Sequence, residues 1–337
     1  MPLCKIGVLF NYPEKPIRGE VTDFVADVEI QDQVNAVQES IEKIGYDYKT
    51  FALKDDIENL IIELKSFEPD AVINLCEGAF GDSHLEMNVP SILELLRIPY
   101  TGSPPLSLGL CQNKGLTKDI LTVNDVITPK YRVLKDVTDW REDLEYPLFV
   151  KPLMEDASLG ISKDSFVKNE KALRKRVRYI NHTYNQPALV EKYVYGRELN
   201  VAILGYMSPQ ILPVSEIIFG FNEEPKIVDY QAKWFTESDE YKMTKPMCPA
   251  ILELSIKNKI EKAALKSFKA LHCRDYARVD IRLDGEIPYV IEVNPNPDIS
   301  PDAGFSRSLK AAGISYEEFI EMLIGFSKER RASMKFN

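Results

Sequence analysis

The order of apolar and amphipathic segments over the first 110 residues limits the fold more than any other feature of this chain. Predicted strands lie at residues 3–10, 46–51 and 71–75, and predicted helices at 31–44, 55–67 and 89–96. In the first helix Val34, Val37 and Ile41 recur at helical spacing, and Gly45 follows as a stop signal. This β–α–β–α–β order predicts an open parallel sheet, because parallel strands need crossover connections.

The rest of the chain is richer in strands. Helices are predicted at 114–123, 169–180, 252–271 and 316–327, and strands at 131–134, 148–151, 188–193, 199–204, 211–218, 276–283 and 289–293. Residues 154–162 are predicted to form a loop. The long polar segment 219–249 is predicted to lack regular structure and to be functional or mobile. The predicted fold class is therefore α/β, with an α+β C-terminal part.

Composition limits the partners. The chain has 337 residues, which suits two or three domains, and a net charge of −10. An acidic surface repels nucleic-acid phosphates, so no nucleic-acid partner is expected. No stretch is long and apolar enough to predict a membrane span. The five cysteines form no CxxC pair and are expected to be reduced, as in a cytoplasmic protein, and the three scattered histidines disfavour a zinc site.

Polar residues alternate along two strands of a predicted hairpin. Arg278 and Asp280 share one face of the first strand, and Glu292 and Asn294 share one face of the second. Each is flanked by apolar residues, and neighbouring buried carboxylates are costly without a cation. Oxygen ligands of this kind suit Mg²⁺ held jointly with phosphates. The alternative is an ordinary solvated face of the hairpin.

A series of short motifs then carries a family resemblance. In chain order the motifs are Ile98-Pro-Tyr-Thr-Gly-Ser, Asn113-Lys114, Val150-Lys151-Pro152, Glu191-Lys192-Tyr193, Asp229-Tyr230-Gln231-Ala232-Lys233, Cys248-Pro249-Ala250, Arg278-Val279-Asp280 and Glu292-Val293-Asn294. With these motifs the chain resembles the ATP-grasp superfamily and, within it, the D-alanine–D-alanine ligase group. Each motif is a weak signal alone, but all eight occur in the family's order.

The resemblance implies a three-domain ATP-grasp fold with ATP between the second and third domains. Its divisions would be an N-terminal α/β domain at 1–112, a small central domain at 113–190 and a C-terminal domain at 191–337. The implied cofactors are ATP and Mg²⁺, expected as two ions, with Mn²⁺ as the alternative metal. The resembling group commonly forms dimers, so a homodimer is also expected.

The resemblance also implies roles for single residues in phosphate binding and catalysis. Lys114 and Lys151 would pair with ATP phosphates, and Lys151 needs a partner because it ends an apolar strand. Ser158 would belong to the loop over the phosphates and take part in catalysis. Lys233 would reach the γ-phosphate, and Arg278 would hold the negative charge that develops at the tetrahedral centre. Asp280, Glu292 and Asn294 would be the metal ligands.

The nucleotide base and sugar would be held by a separate segment. Glu191, Lys192, Tyr193 and Val194 would read adenine through backbone groups. Glu198 would bind the ribose hydroxyls, although an edge-strand surface charge is the alternative.

Departures from the family pattern lie in the regions that bind amino-acid substrates. The phosphate loop has Ala157 where the family has serine, and Trp234 stands where it has tyrosine. The family's His-Gly is replaced by Cys76-Glu77-Gly78, and its final-loop glycine by Asp298. We hypothesise that Glu77 and Asp298 recognise a cationic group on a substrate, the alternative being turn-capping carboxylates.

The predicted enzyme is an ATP-dependent ligase for small-molecule carboxylate and amine substrates. The carboxylate would be activated as an acyl-phosphate, and the amino-acid-like substrate would not be D-alanine. Two alternatives are a true D-alanine–D-alanine ligase and a non-catalytic nucleotide-binding protein. Retention of Arg278, Asp280, Glu292 and Asn294 argues against the second of these.

Overall fold

The N-terminal part is a parallel sheet, as the strand–helix alternation predicts. The computed structural model describes residues 4–20, 30–230, 233, 235 and 237–334, with side chains described as far as residue 330. The elements here are β1 (Lys5–Asn11), α1 (Ile30–Ile44), β2 (Asp47–Leu53), α2 (Ile57–Phe67), β3 (Ala71–Asn74), α3 (Asn88–Leu95) and α4 (Pro105–Gln112). The strand order is β2-β1-β3, with both pairs parallel.

Both faces of this sheet are covered. On one face the buried side chains of α1, among them Val37 and Ile41, pack with Ile6 and Ile73. The last helix of the described chain, α10 (Tyr316–Met334), adds Phe319, Ile320, Leu323 and Ile324 to the same core. On the other face Leu60 and Leu64 of α2 pack against Phe51. The two ends of the sequence therefore build one hydrophobic core.

A second sheet lies in the middle of the sequence. Its elements are α5 (Lys114–Val123), β4 (Tyr131–Leu134), β5 (Leu148–Pro152), β6 (Phe166–Val167), α6 (Glu170–Thr183) and β7 (Ala188–Lys192). The strands are antiparallel in the order β4-β7-β5-β6. Leu173, Val177 and Ile180 of α6 bury one face of this sheet.

The third sheet contains the predicted metal hairpin. Its elements are β8 (Arg197–Gly205), β9 (Gln210–Ile211), β10 (Ser215–Phe219), α7 (Asp239–Lys242), β11 (Thr244–Met247), α8 (Leu254–Ala270), β12 (Asp275–Asp284), β13 (Ile287–Asn294) and α9 (Gly304–Ala311). The order is β11-β10-β8-β12-β13, with β9 beside β8. Ile260, Ala264 and Phe268 of α8 pack on it, and Leu121 of α5 joins the same core. Helix α5 thus links the second and third sheets.

Two expectations about elements were wrong, and two helices were missed. The single strand predicted at 211–218 is interrupted around Pro213, which cannot donate a backbone hydrogen bond, and forms the short strands β9 and β10. The segment 219–249 contains α7 and β11, the latter paired with β10. Helices α4 and α9 were not predicted. No helix in the described residues is long and apolar enough to cross a membrane.

Candidate active site

A cavity of about 1020 Å³ lies between the second and third sheets. The predicted site residues on its wall are Glu77, Lys151, Ser158, Glu191, Lys192, Tyr193, Val194, Glu198, Lys233, Arg278, Asp280, Glu292, Asn294 and Asp298. These residues come from all three parts of the fold. Trp234 lies outside the described residues.

The hairpin end brings the four predicted polar residues together. In the β12–β13 register Arg278 lies opposite Asn294, and Asp280 lies opposite Glu292. Asp280 Oδ1 accepts from Arg278 Nε at 2.8 Å and from Asn200 Nδ2 at 2.7 Å. Asp280 Oδ2 accepts from a second Arg278 nitrogen at 2.8 Å and from Asn294 Nδ2 at 3.0 Å. The Asp280 carboxylate therefore orders its neighbours into one cluster.

The same cluster fits a divalent cation that shares its coordination with phosphate. Burial opposes ionisation of Glu292, but Lys114, Lys151 and Arg278 together lower its pKa to about 2, so the carboxylate stays charged. The Asn294 amide nitrogen points to Asp280, which directs the amide oxygen away from that carboxylate. In the described part of the chain no three His, Cys, Asp or Glu side chains form a metal-binding group. Asp280, Glu292 and Asn294 are oxygen donors of the type that Mg²⁺ shared with phosphate would use.

The two predicted phosphate lysines occupy different surroundings. The Lys151 side chain is buried on the cavity wall, with Nζ 3.1 Å from Glu191 Oε1 and 3.9 Å from Glu292 Oε2. Lys114 is not on that wall. Its Nζ lies 2.7 Å from Asp156 Oδ1 and donates to the Glu155 carbonyl at 2.5 Å. Lys114 therefore tethers residues 154–162, the predicted phosphate loop. Its own contact with ATP stays a prediction.

The phosphate loop has an unusual backbone. Ala157 and Ser158 have φ angles of 52° and 62°, in the left-handed region that non-glycine residues rarely occupy. Ser158 Oγ donates to the Val228 carbonyl at 3.0 Å, which joins this loop to the segment before Lys233. Gly160 has φ +68°, and a Cβ there would lie 2.7 Å from Pro152 Cγ. The loop conformation consequently depends on a glycine at this position.

The predicted nucleotide segment also contains structural ion pairs. The Glu191 carboxylate is buried and lies 2.7 Å from Lys118 Nζ as well as near Lys151. Glu198 lies 2.8 Å from the Arg282 guanidinium, and burial raises its pKa. Tyr193 OH donates to Glu224 Oε2 at 2.5 Å. The Glu191 side chain therefore belongs to an ion cluster with Lys118 and Lys151. The predicted adenine contacts use backbone groups, so they do not involve this side chain.

The hypothesised substrate carboxylates, Glu77 and Asp298, line the same cavity. The Glu77 backbone N–H donates to Asn11 Oδ1 at 3.0 Å, and Gln33 Nε2 donates to Glu77 Oε1 at 3.4 Å. Asp298 Oδ1 accepts from both the backbone N–H and the hydroxyl of Ser300, at 2.8 and 2.7 Å. Asp298 is therefore a turn cap as well as a wall residue, which agrees with the alternative interpretation of that residue.

Lys233 lies near Arg278 of the hairpin and near the two hypothesised substrate carboxylates, Glu77 and Asp298. Burial lowers its pKa, and nearby Arg278 acts in the same direction, while Asp298 and Glu77 oppose the shift. The amine is thus placed among the residues that would surround the transferred phosphoryl group and the substrate.

Four charged residues at or behind the site were missed from the sequence. Lys118 forms an ion pair with Glu191, and Arg282 forms one with Glu198. Arg307 lines the cavity. Burial raises the pKa of Glu86 to about 8, and Asn296 Nδ2 donates to this carboxyl at 3.1 Å. Only Lys118 could have been found from the sequence, because it lies one helical turn after Lys114 and therefore shares a helix face with that predicted site residue.

The sequence model of the family described as "D-ala D-ala ligase C-terminus" matches residues 119–325. The D-alanine–D-alanine ligase of Thermotoga maritima is 32% identical over 302 residues, covering 87% of this chain and 91% of that protein. The uncharacterized protein y4sG of Sinorhizobium fredii is 35% identical over 261 residues, covering 77% of this chain and 75% of that protein. The crystal structure of the Bacillus anthracis D-alanine–D-alanine ligase complexed with ATP matches with a TM-score of 0.77 and 25% identity, over 98% of this chain and 99% of that chain.

Fold and site together define an enzyme of the ATP-grasp class, an ATP-dependent ligase that forms C–N bonds. Within that class the chain belongs to the D-alanine–D-alanine ligase family. The sequence-based assignment of superfamily, fold class and enzyme type is thus confirmed.

Proposed function

We propose that this enzyme joins the carboxylate of an amino-acid-like substrate to an amine through an acyl-phosphate, and that its natural substrate is not D-alanine. The observation that carries the substrate proposal is the pair of carboxylates, Glu77 and Asp298, on the wall of the same cavity as Arg278. The family pattern has a histidine-glycine pair and a glycine at these two places. A change of charge here alters which substrate groups are stabilised.

The reaction proceeds in two displacements. A carboxylate oxygen of the first substrate attacks the γ-phosphorus of ATP, the bond to the bridging oxygen breaks, and ADP leaves. The amine of the second substrate then attacks the acyl carbon, loses a proton, and expels inorganic phosphate. Phosphoryl transfer of this kind depends on in-line positioning and on neutralising charge.

The chain's own residues perform those two tasks. Lys151 and Lys233 both lie on the cavity wall and would bind the phosphates. Arg278, fixed by its two bonds to Asp280, holds the negative charge that develops on the acyl group. Asp280, Glu292 and Asn294 would hold Mg²⁺, two ions being proposed, which neutralises the phosphate oxygens when bound.

Glu77 and Asp298 would bind the ammonium group of the amino-acid-like substrate. Asp298 uses one carboxylate oxygen for its turn and keeps the charge of the whole group on the cavity wall.

A second candidate is D-alanine–D-alanine ligase itself. It is favoured by the Thermotoga maritima relative, which carries that name and matches most of this chain. The two candidates differ in the substrate that releases phosphate.

The deciding experiment incubates the protein with ATP, Mg²⁺ and a panel of single L- and D-amino acids and their pairs. Phosphate release and the product mass are measured for each. We expect a dipeptide-type product from amino acids other than D-alanine. Release with D-alanine alone at a higher kcat/KM than with every other amino acid would refute the substrate proposal and support the second candidate.

Glu77→Gln and Asp298→Asn test the recognition step. We expect the KM of the amino-acid substrate to rise roughly tenfold in each variant, because one charge-assisted hydrogen bond is lost, while the KM for ATP stays unchanged. Asp284→Asn, at the exposed last residue of β12, is the matched control. Unchanged substrate KM in both Glu77→Gln and Asp298→Asn would leave these carboxylates as structural groups.

A further inference from the structure

Lys118 is a buried ammonium with no direct place in the mechanism above. Its side chain is 0% exposed, and its Nζ lies 2.7 Å from Glu191 Oε2. It also donates to Thr128 Oγ1 at 2.8 Å. A charged lysine in such a place is strongly unfavourable unless its partners repay the loss of water. The Glu191 contact therefore explains why the charge is tolerated.

Glu191 is shared between two lysines. Its Oε2 lies beside Lys118 and its Oε1 lies 3.1 Å from Lys151 Nζ, and the three side chains are at most 4% exposed. These three side chains, one carboxylate and two ammonium groups, carry a net charge of about +1 in a region with little water, and this charge faces the Glu292 carboxylate 3.9 Å from Lys151 Nζ. Lys151 and Glu191 line the cavity, whereas Lys118 does not and contacts Glu191 from outside the wall.

We propose that Lys118 is a positioning residue for ATP: by occupying half of the Glu191 carboxylate it keeps Lys151 a net cation for the phosphates. Without Lys118 the Glu191–Lys151 pair is neutral, and the attraction of Lys151 for an anion falls. This inference rests on the proposed phosphate contact of Lys151 and does not depend on which amino acids are joined.

The position of Lys118 on α5 supports this role. Lys114 lies one turn earlier on the same helix and binds the phosphate loop through Asp156. Helix α5 therefore holds the loop with one lysine and the Glu191 cluster with the next. A single rigid element thus sets both groups relative to the phosphates.

The test compares binding of ATP with binding of adenosine, which has no phosphates, by titration calorimetry without turnover. In Lys118→Met we expect the Kd for ATP with Mg²⁺ to rise roughly ten- to thirtyfold, as expected for losing one unit charge several ångströms from the phosphates. The Kd for adenosine stays near the wild-type value. Equal weakening of both ligands would show a purely structural role and overturn the proposal.

A charge-neutral double variant separates the electrostatic role from folding. Lys118→Met/Glu191→Gln removes one charge of each sign, leaves Lys151 cationic, and keeps the backbone groups that would read adenine. We expect it to recover most of the ATP affinity lost in Lys118→Met. If the double variant binds ATP more weakly than the single variant, the proposal is wrong.

Two further variants complete the design. Arg330→Met removes a buried cation from another ion pair, with Asp275, and should lower stability without changing the ratio of ATP to adenosine affinity. Lys118→Arg keeps the charge and should retain that ratio even if stability drops. A tenfold fall in the ratio in folded Lys118→Arg would count against a role for the charge. Because only binding is measured, failure of the substrate proposal would be seen separately, as absence of the expected product.

Discussion

The predicted nucleotide-binding and substrate-binding parts of the site, called here the nucleotide end and the substrate end, hold their charged groups in different ways. At the nucleotide end Lys118, Lys151 and Glu191 are at most 4% exposed and are each other's partners across different elements. At the substrate end Glu77 is exposed, and Asp298 binds Ser300 only two residues away. Buried ions need partners at fixed distances, whereas exposed carboxylates are stabilised by water.

This difference explains where the chain departs from its family. A change at the nucleotide end would leave an uncompensated buried charge, so it would cost both stability and ATP binding. A change at the substrate end affects a local turn and the groups that face the substrate. The reaction type can therefore persist while the substrate changes.

The largest expected effect is a loss of kcat on replacing Arg278, which lies between the predicted nucleotide-binding and substrate-binding residues. Arg278→Leu should lower kcat by about 10²–10³-fold, since it removes a preorganised donor to the developing negative charge. The KM for ATP should change much less, because Lys151 and the loop remain. Steady-state kinetics check this, with Arg278→Lys as the variant that keeps the charge but loses the fork on Asp280. A wild-type kcat in Arg278→Leu would remove Arg278 from the reaction.

The phosphate loop should be the next most sensitive region. Gly160→Ala should lower the free energy of unfolding by about 2–3 kcal/mol, because the left-handed φ is strained for alanine and the new Cβ meets buried side chains. Those contacts are at 2.7 Å to Pro152 and 2.9 Å to Tyr184. Gly285→Ala is the matched control, because Gly285 has φ +57° with open space around its Cβ position. Urea unfolding that gives equal losses for both would show that the contacts around Gly160 are unimportant.

Glu86, which accepts a hydrogen bond from Asn296 of the cavity wall, sharpens the comparison through pH. An unfolded glutamate ionises near its ordinary pKa of 4.5, whereas Glu86 keeps its proton to about pH 8 in the fold. The folded protein therefore binds more protons over that interval, and stability falls as pH rises through it. Glu86→Gln should flatten the stability–pH curve between these values, and parallel curves for both proteins would contradict the assignment.

The smallest expected effect is on the turn at Asp298. Asp298→Ala loses the two hydrogen bonds to Ser300, so the free energy of unfolding should fall by about 1 kcal/mol. Ser300→Ala loses only the hydroxyl contact and should cost less. Thermal unfolding of both variants measures this. A loss in Asp298→Ala as large as that of Gly160→Ala would mean that the substrate end is as rigid as the phosphate loop.

Much of this molecule could be predicted from local patterns. Alternation along a strand placed Arg278 with Asp280 and Glu292 with Asn294, and strand–helix alternation predicted the parallel sheet that the structure contains. Strand β9 escaped prediction because it has only two residues. The helices α4 and α9 escaped because each buries serine side chains beside its apolar ones, which weakens the apolar periodicity.

Long-range contacts arose only when the chain folded. The pairing of Lys118 with Glu191 and the packing of α10 on the first sheet join residues far apart in sequence. Spacing along the chain determines which side chains lie on the same face of a helix or strand, since that follows from backbone geometry. It carries no information about which distant element packs there, because that depends on burial and charge pairing in three dimensions.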